Sequence, residues 1–267
     1  MANPPGSFIW YELLTTDIAA AADFYEAVVG IGIARAATPG PMDYRMIETP
    51  GGLHVGGAMQ LSADMLAGGA LPGWYGYVSV ADVDSAVERA QSEGAALLMP
   101  PSDIPGAGRI AMIADPQGAP LYLMTPAPPA GAQDMESRCY DPEKHGHVAW
   151  NELHASDQAT AFAFYAGQFG WEKSDALDMG PMGTYQMFKI GGTDNAVGGM
   201  MTSPNMPHPI WLYYLNVPDI DAALAAANAN GATGMFGPSD IPGGFFIIQG
   251  KDPQGATFAA VGPRVQG

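Results

Sequence analysis

The six-residue stretch "PSDIPG" occupies Pro101–Gly106 and occurs again at Pro238–Gly243. Each copy is followed shortly afterwards by "DPQG", which begins at Asp115 in the first case and at Asp252 in the second. Two motifs that recur in the same order indicate an internal repeat, so the residues around them should repeat as well.

The flanking residues do repeat in the same order. Three pairs of aligned blocks carry the repeat: "WYELLTTDIAAAADFYEAVVG" from Trp10 with "WNELHASDQATAFAFYAGQFG" from Trp150, "HVGGAM" from His54 with "AVGGMM" from Ala196, and "WYGYVSVADVDSAVERAQSEGA" from Trp74 with "WLYYLNVPDIDAALAAANANGA" from Trp211. Each copy has an ordinary domain size. The alignment predicts a first domain at 6–127, a linker at 128–144 that is rich in Pro, Gly and charge, and a second domain at 145–264, with the boundary near Asp134.

The composition is that of a folded protein with two buried cores. Of the 267 residues, 48% are hydrophobic, and no run of about 18 apolar residues indicates a membrane span. The 27 acidic and 10 basic residues give a formal net charge of −17, which repels phosphate backbones and anionic lipids. We therefore expect that neither nucleic acid nor a membrane is a partner.

Hydrophobic periodicity in the first copy predicts a strand, a helix and two more strands. "SFIWYELLT" alternates as a strand does, and Asp17 precedes an Ala-rich amphipathic stretch that ends at Gly30, as an N-cap precedes a helix. The runs "MDYRMIET" and "GLHVGGAMQL" are strand-like and are separated by a Pro-Gly-Gly turn. These elements give the order βαββ, which we interpret as a βαβββ module with one strand not apparent in the sequence.

The same order restarts within the copy. "GWYGYVSV" is strand-like, Asp82 precedes a helical stretch that ends at Gly94, and three strand-like runs follow. The last two are joined at Asp115 by the turn sequence Asp-Pro-Gln-Gly. Each domain therefore consists of two βαβββ modules, and the fold class is α+β. Four modules in one chain can complete their sheets without a partner, so we expect a monomer or a homodimer.

Paired βαβββ modules with a "DP-x-G" hairpin before the last strand resemble the vicinal oxygen chelate superfamily, which includes glyoxalase I, bleomycin-resistance proteins and extradiol dioxygenases. The order of "W-x-E-L", an "FY" pair on the first helix, and "SDIPG…DPQG" is similar to the tandem glyoxalase-like antigens, a group also described as hydroxylases. The resemblance implies that each module pair curls into a cupped mixed sheet. It also implies that the concave face of each cup holds a small-molecule ligand.

The resemblance also implies where metal ligands would lie. Catalytic members bind a divalent metal through His, Glu or Gln side chains on the first and last strands of each module. The corresponding positions here are Trp10 and Trp150, Tyr75 and Leu212, and Tyr122 and Ala259. The tryptophan indole is only a hydrogen-bond donor and cannot ligate a metal. We therefore predict that neither cup has the usual metal site and that the protein has no cofactor.

One alternative metal site stays open. The five histidines are His54, His145, His147, His154 and His208. Only His154 follows a glutamate, Glu152, by two residues on a predicted strand, which places both side chains on one face. The first copy has Leu14 at this position. A divalent metal near Glu152 and His154 is therefore one possibility, and a hydrogen-bonding cavity or core histidine is the other.

Strand alternation places Glu12 on the face of Trp10 and Glu152 on the face of Trp150. A carboxylate on an apolar, aromatic face is unfavourable unless it is paired, and such groups are candidates for acid–base catalysis or for binding a polar ligand. We predict that Glu12 and Glu152 are catalytic residues or residues that bind a polar ligand. The alternative is that they bond backbone N–H groups or the Trp indoles.

Aromatic and basic side chains complete the predicted cups. The candidate ligand-binding residues are Trp10, Tyr75, Arg109, Tyr122, Trp150, His154, Tyr185, Trp211 and Tyr214. Such a lining suits a flat, mostly apolar small molecule, although the same residues are typical of a packed sheet. Phe246 replaces Arg109 in the second copy, so we expect the two cups to differ. The "PSDIPG" segments are expected either to cross the rim of the cup or to form structural turns.

Three functions are compatible with the sequence. The first is a cytoplasmic small-molecule-binding protein, a compartment inferred from the single cysteine, Cys139, and from an N-terminus that lacks the features of a signal peptide. The second is an enzyme, such as a lyase, isomerase or hydroxylase-like catalyst, that uses Glu12 or Glu152 for proton transfer or a metal near Glu152 and His154. The third is a structural module whose cups are filled by their own side chains.

Overall fold

A computed structural model of the chain describes residues 3–40, 42–127, 136–204 and 206–265. Within these residues the chain forms two eight-stranded mixed sheets, one from each copy of the repeat. The α+β class and the paired βαβββ modules are confirmed. The predicted boundary near Asp134 lies outside the described residues.

The first copy forms two modules in the expected order. Its elements are β1 (Phe8–Thr15), α1 (Ile18–Val28), β2 (Gly32–Ile33), β3 (Tyr44–Glu48), β4 (His54–Gln60), α2 (Ala63–Ala67), β5 (Gly73–Ser79), α3 (Val83–Ser92), β6 (Ala96–Ile104), β7 (Gly108–Ala114) and β8 (Pro120–Pro126). The strand order of its sheet is β2-β3-β4-β1-β5-β8-β7-β6. The short helix α2 was not anticipated from the sequence.

The second copy repeats this arrangement. Its elements are β9 (Val148–Ala155), α4 (Gln158–Phe169), β10 (Glu172–Asp178), β11 (Thr184–Lys189), β12 (Ala196–Thr202), β13 (Ile210–Asn216), α5 (Ile220–Ala229), β14 (Thr233–Ile241), β15 (Phe245–Lys251) and β16 (Thr257–Gly262). Its strand order is β10-β11-β12-β9-β13-β16-β15-β14, which matches that of the first sheet position by position. Among its described residues, the segment between β12 and β13 contains no counterpart of α2.

The helix starts follow the predicted capping pattern. Asp17 accepts hydrogen bonds from the backbone N–H groups of Ala19 and Ala20, and Asp82 accepts one from Ser85. These bonds satisfy donors that have no partner within the helix. Asp157 and Asp219 cap α4 and α5 in the same way.

The "PSDIPG" segments do not form separate loops. The first ends strand β6 and the second ends strand β14, and each leads into a hairpin. The pairing register shifts at the start of each segment, between Met99 and Ser102 and between Phe236 and Ser239. Proline cannot donate to a strand ladder, so a local irregularity is expected where Pro101 and Pro238 lie. The structural-turn interpretation therefore describes these segments best.

The described residues pack into two compact units, and each unit combines modules from both copies. Unit 1 contains most of β5, α3 and β6–β8 from the first copy, with most of β9, α4 and β10–β12 from the second. Unit 2 contains most of β1, α1, α2 and β2–β4 from the first copy, with most of β13, α5 and β14–β16 from the second. Compact packing therefore does not follow the boundary between the copies.

A buried hydrogen-bonded chain crosses the copies within unit 1. Nε1–H of Trp211 donates to the Tyr165 hydroxyl at 3.0 Å, and this hydroxyl donates to Oδ2 of Asp115 at 2.9 Å. Asp115 belongs to the "DPQG" turn of the first copy, and its Oδ1 accepts from the backbone N–H groups of Gln117 and Ala119. The chain thus ties helix α4 of the second copy to the turn before β8 of the first.

Unit 2 contains the equivalent chain with the copies exchanged. Nε1–H of Trp74 donates to the Tyr25 hydroxyl at 2.8 Å, and Tyr25 donates to Oδ2 of Asp252 at 3.0 Å. The glycine of each turn has a positive φ, 101° at Gly118 and 92° at Gly255, which glycine adopts without steric cost. The "DPQG" turns of both copies therefore place glycine where other residues would be strained.

Burial sets the protonation behaviour of these chains. Burial raises the pKa of Asp252, although hydrogen bonds from the Ala256 N–H and the Tyr25 hydroxyl lower it in part. Burial and the neighbouring Asp252 raise the pKa of Tyr25 well above its ordinary value, so this hydroxyl keeps its proton and remains a donor. Burial likewise raises the pKa of Asp115, and hydrogen bonds from the Ala119 N–H and the Tyr165 hydroxyl lower it in part.

We expect Tyr25→Phe to lower the free energy of unfolding by about 1–3 kcal/mol at neutral pH, because it removes the partner of two buried groups. Folded Asp252 holds its proton more tightly than the unfolded chain, so stability falls as pH rises from 3.8 through the raised pKa. Loss of the tyrosine donor raises the pKa of Asp252 further, so Tyr25→Phe should lower the free energy of unfolding less at acidic pH than at neutral pH.

Urea denaturation across the acid range measures this difference. Tyr165→Phe should show the same pH dependence in unit 1. An equal cost at all pH values would contradict the coupling.

Candidate functional site

Two polar side chains of β9 lie on one face of the second sheet. In the parallel pairing of β9 with β12, Glu152 lies opposite Gly199 and His154 lies opposite Met201. Residues two apart on a strand share a face, so Glu152 and His154 point the same way. Both are buried, with 8% and 9% of their surface exposed. We call this side of β9 the Glu152 face.

Four side chains on this face form a connected polar group, which we call the Glu152 cluster: Glu152, His154, Tyr185 and Ser203. Nε2 of His154 is 2.8 Å from Oε1 of Glu152, and Nδ1 of His154 is 2.7 Å from Oγ of Ser203. The Tyr185 hydroxyl donates to Oε2 of Glu152 at 2.7 Å. Each atom of the imidazole and of the carboxylate that can form a hydrogen bond therefore has a partner.

With Glu152 ionised and His154 neutral, these contacts define the positions of the protons. An ionised Glu152 only accepts, so the His154 nitrogen that faces it must carry a proton. In the neutral imidazole the other nitrogen, Nδ1, is then an acceptor, and the Ser203 hydroxyl donates to it. This leaves the lone pairs of the Ser203 oxygen directed away from His154.

The glycine pair of the "VGG" motif makes room for the tyrosine. A Cβ added to Gly199 would lie 2.2 Å from Cε1 and 2.5 Å from the hydroxyl oxygen of Tyr185. Gly57 has the same relation to Tyr44 in the first copy, at 1.9 Å from the hydroxyl oxygen. The Tyr185 ring can therefore reach Glu152 only because residue 199 has no side chain.

The corresponding face of the first copy is built differently. Glu12 is buried, with 4% of its surface exposed, and burial together with Glu12 raises the pKa of Tyr75. Nε1–H of Trp10 donates to the Tyr44 hydroxyl at 2.9 Å. An apolar cluster of Leu14, Met59 and Leu61 completes this face, and Tyr44, Tyr75, Ala70 and Met65 of α2 pack against it.

Alignment of the copies shows that two positions change together. Leu14 and Leu61 of the apolar cluster correspond to His154 and Ser203 of the Glu152 cluster. The sequence singled out Glu152, His154 and Tyr185, and the structure brings these three together. Ser203 was missed, although the paired change from two leucines to histidine and serine was visible in the repeat.

The remaining predicted aromatic residues, Tyr122, Tyr214 and Trp150, lie on β8, β13 and β9. Tyr122 stacks on Tyr77 with ring centroids 4.2 Å apart. The Tyr214 hydroxyl accepts a hydrogen bond from Nε2–H of Gln249. Trp150 lies two residues before Glu152 on β9 and is partly exposed.

The structure corrects the inward orientation expected of Arg109. Its guanidinium forms two hydrogen bonds with Asp84 of α3, at 2.6 and 2.9 Å, and one with Asp103. In the antiparallel pairing Tyr122 lies opposite Met112, three residues from Arg109, so Arg109 and Tyr122 occupy opposite faces. In the second copy Phe246 replaces Arg109, and the ion pair with the helix is formed by Arg264 and Asp221. The Arg264 guanidinium lies over the Phe246 ring.

Trp211 also lies away from the predicted binding face. It is three residues from Tyr214 on β13 and so faces the opposite side. There it packs among Phe8, Trp171 and Phe188 in unit 1 and donates to Tyr165. These contacts make Trp211 a core residue.

The donors on the Glu152 face do not form a complete metal site. Glu152 and His154 bond to each other, and the described parts of the chain contain no group of three or more His, Cys, Asp or Glu side chains that could hold a metal ion. Catalytic sites usually supply three protein ligands. The residues present therefore do not fit the metal that the resemblance implies.

The fold defines a tandem protein of paired βαβββ modules, and comparison with known proteins identifies its family. Residues 7–123 and again 144–260 match the Glyoxalase/Bleomycin resistance protein/Dioxygenase superfamily, so the chain belongs to this superfamily. CFP32 of Mycobacterium tuberculosis, provisionally named a glyoxylase, is 34% identical over 263 residues, covering 96% of this chain and 95% of that protein. The anthracycline biosynthesis protein DauV of Streptomyces sp. strain C5 is 28% identical over 266 residues, covering 96% of this chain and 93% of DauV.

Solved structures share the fold at low sequence identity. The Mn(II)-bound glyoxalase from Novosphingobium aromaticivorans has a TM-score of 0.62 at 14% identity, covering 97% of this chain and 82% of that one. The 2,3-dioxygenase LapB from Pseudomonas sp. KL28 has a TM-score of 0.60 at 11% identity, covering 98% and 94%. Such identities support a common fold alone. Within the described residues, no helix is both long enough and apolar enough to cross a membrane.

We expect Gly199→Ala to displace the Tyr185 ring and lower the free energy of unfolding by about 1–3 kcal/mol through overpacking. Gly32→Ala is the matched control, because no heavy atom lies within 4 Å of the added Cβ. Chemical denaturation measures both. In a Tyr185→Ala background the Gly199→Ala cost should shrink, since the clash is gone. An undiminished cost there would show that the ring is not the cause.

We also expect protein purified without chelator to contain no stoichiometric transition metal, because Glu152 and His154 offer only two of the donors that a site needs. Elemental analysis by mass spectrometry checks this. One zinc, nickel or iron per chain that disappears in Glu152→Ala or His154→Ala would contradict the expectation.

Proposed function

We propose that the protein binds a small, flat, partly apolar molecule on the Glu152 face, with the Glu152 cluster as its polar anchor. One observation carries the proposal: the first copy of the same fold places Leu14 and Leu61 where the second has His154 and Ser203. The fold accepts an apolar pair at these positions, so the polar cluster is not a requirement of folding.

The energetics favour a function for this cluster. Burying a carboxylate and an imidazole requires their desolvation, and a well-packed apolar group of similar volume is often equal or better in stability. Buried polar groups gathered on an otherwise apolar and aromatic face are typical of ligand-binding sites. The Glu152 face is therefore the first candidate for the ligand-binding site. The Glu12 face, where Met65 packs against the apolar cluster of Leu14, Met59 and Leu61, is the second candidate.

The relatives suggest a class of ligand. DauV is named for anthracycline biosynthesis. As a chemical class, anthracyclines are flat, polycyclic and hydroxylated. A molecule of this shape would stack on aromatic side chains and present hydroxyl groups to Glu152 and His154. This supports a planar aromatic ligand with hydrogen-bonding substituents.

Proton transfer is the second candidate function. The direct contact of Glu152 with His154 would let the pair take up and release a proton of a bound ligand, as in general acid–base catalysis. Burial and the charge of Glu12 raise the pKa of Tyr75, and Glu12 is the corresponding candidate in the first copy. Turnover of a bound compound, lost in Glu152→Gln while binding persists, would favour this function over simple binding.

The binding proposal is tested with the fluorescent anthracycline daunorubicin as the probe. We expect one molecule to bind per chain and Glu152→Gln to weaken binding by about 1.5–3 kcal/mol, the value of a hydrogen bond to a charged group. Fluorescence titration gives the affinity and the stoichiometry. Thermal denaturation should show that Glu152→Gln still folds, because the two side chains have nearly the same size.

Glu12→Gln is the matched variant in the first copy. We expect it to leave the daunorubicin affinity nearly unchanged, since the proposed site lies in the second copy. Equal losses in both variants would contradict this assignment. Binding that neither change affects would reject the Glu152 face as the site.

A further inference from the structure

We propose that Ser203 is an activated nucleophile and that the protein catalyses acyl transfer from small aryl esters to water. The Ser203 oxygen lies 2.7 Å from Nδ1 of His154, and Nε2 of the same ring lies 2.8 Å from Glu152. A nucleophile within hydrogen-bond reach of a base that a third group orients is the arrangement that activates serine in hydrolytic enzymes.

The surroundings hold each member of this relay in place. The Tyr185 hydroxyl binds the second oxygen of Glu152, so the carboxylate keeps one orientation toward His154. The backbone of Ser203 is fixed by its N–H, which donates to the Ala155 carbonyl, and by its carbonyl, which accepts from the Met206 N–H. Ser203 is only partly buried, unlike Glu152 and His154, so part of this residue is exposed to solvent.

The hydrogen-bond directions suit nucleophilic attack. Because Glu152 requires the proton on Nε2, the neutral His154 accepts the Ser203 proton at Nδ1. The serine oxygen then has its lone pairs free for a carbonyl carbon. Residue 204 is proline, which has no N–H that could donate to them.

The reaction balances without an oxidant or cofactor. Oγ of Ser203 forms a bond to the ester carbonyl carbon while its proton passes to Nδ1 of His154. The bond from this carbon to the aryl oxygen breaks, and His154 returns the proton to the leaving phenol. Water then attacks the acyl-serine in the same way, His154 transfers the proton to Oγ, and a carboxylic acid leaves.

This activity goes beyond the proposed binding function and uses the same face. An aryl ester is a flat aromatic molecule with a polar substituent, so it belongs to the ligand class that the Glu152 face would accept. In the first copy Leu14 and Leu61 replace the base and the nucleophile, and we assign the activity to the second copy only.

The test uses the full chain with p-nitrophenyl acetate and with a fluorophosphonate that reacts with activated serines. We expect a burst of one p-nitrophenolate per chain and a covalent adduct on Ser203 by peptide mass spectrometry. Ser203→Ala should abolish both, and His154→Gln should slow the burst by about 10²–10⁴-fold, the usual contribution of a general base. Ser102→Ala, a serine outside the cluster that bonds the Pro100 carbonyl, is the control and should change neither.

Peptide mapping of the chain without substitutions, after reaction with the fluorophosphonate, keeps the proposal testable even if a variant fails to fold. No adduct on Ser203 in the folded protein, or an adduct that persists in Ser203→Ala, would overturn it. Daunorubicin binding without an adduct would remove the acyl-transfer activity and leave the binding function. An adduct without daunorubicin binding would do the reverse.

Discussion

The hydrogen-bonded chain from a tryptophan through a tyrosine to an aspartate is the constraint on which both compact units depend. In unit 2 it runs from Trp74 through Tyr25 to Asp252, and unit 1 has the same chain with the copies exchanged. The buried aspartate also closes its own turn through two backbone N–H groups. A buried carboxylate is tolerated only when such donors surround it. Neither copy supplies all of these donors by itself.

This exchange explains why each compact unit needs residues from both copies of the repeat. The "FY" pair on the first helix of one copy meets the "DPQG" turn of the other, so motifs that are far apart in the chain become neighbours. Around each chain the aromatic rings pack edge to face, as Tyr25 does with Trp74 and Tyr165 with Trp211. The helix faces of the sheets are thereby committed to packing, and the opposite faces lie outside these contacts.

Once the scaffold is fixed, the two copies are free to diverge on those opposite faces. The second "VGG" glycine lets a tyrosine lie flat over the sheet in both copies, at Gly57 and at Gly199. What the tyrosine meets then differs: in the first copy it joins an apolar cluster with Leu14, and in the second it binds Glu152. Leu14 and Leu61 of the first face become His154 and Ser203 in the second, while the pairing of Glu12 with Gly57 is conserved as that of Glu152 with Gly199.

The sequence by itself determined the repeat, the α+β class, the βαβββ order and the aspartate caps. It also determined that Glu12 lies on the same strand face as Trp10 and that Glu152 lies on the same strand face as Trp150. These features follow from local periodicity and turn chemistry. It did not determine the orientation of Arg109 or Trp211, since strand parity fixes relative faces but not which face meets the helices. The pairing of modules across copies and the contact of Ser203 with His154 were decided only by tertiary structure. Both join residues distant in the chain, and no local pattern encodes such contacts.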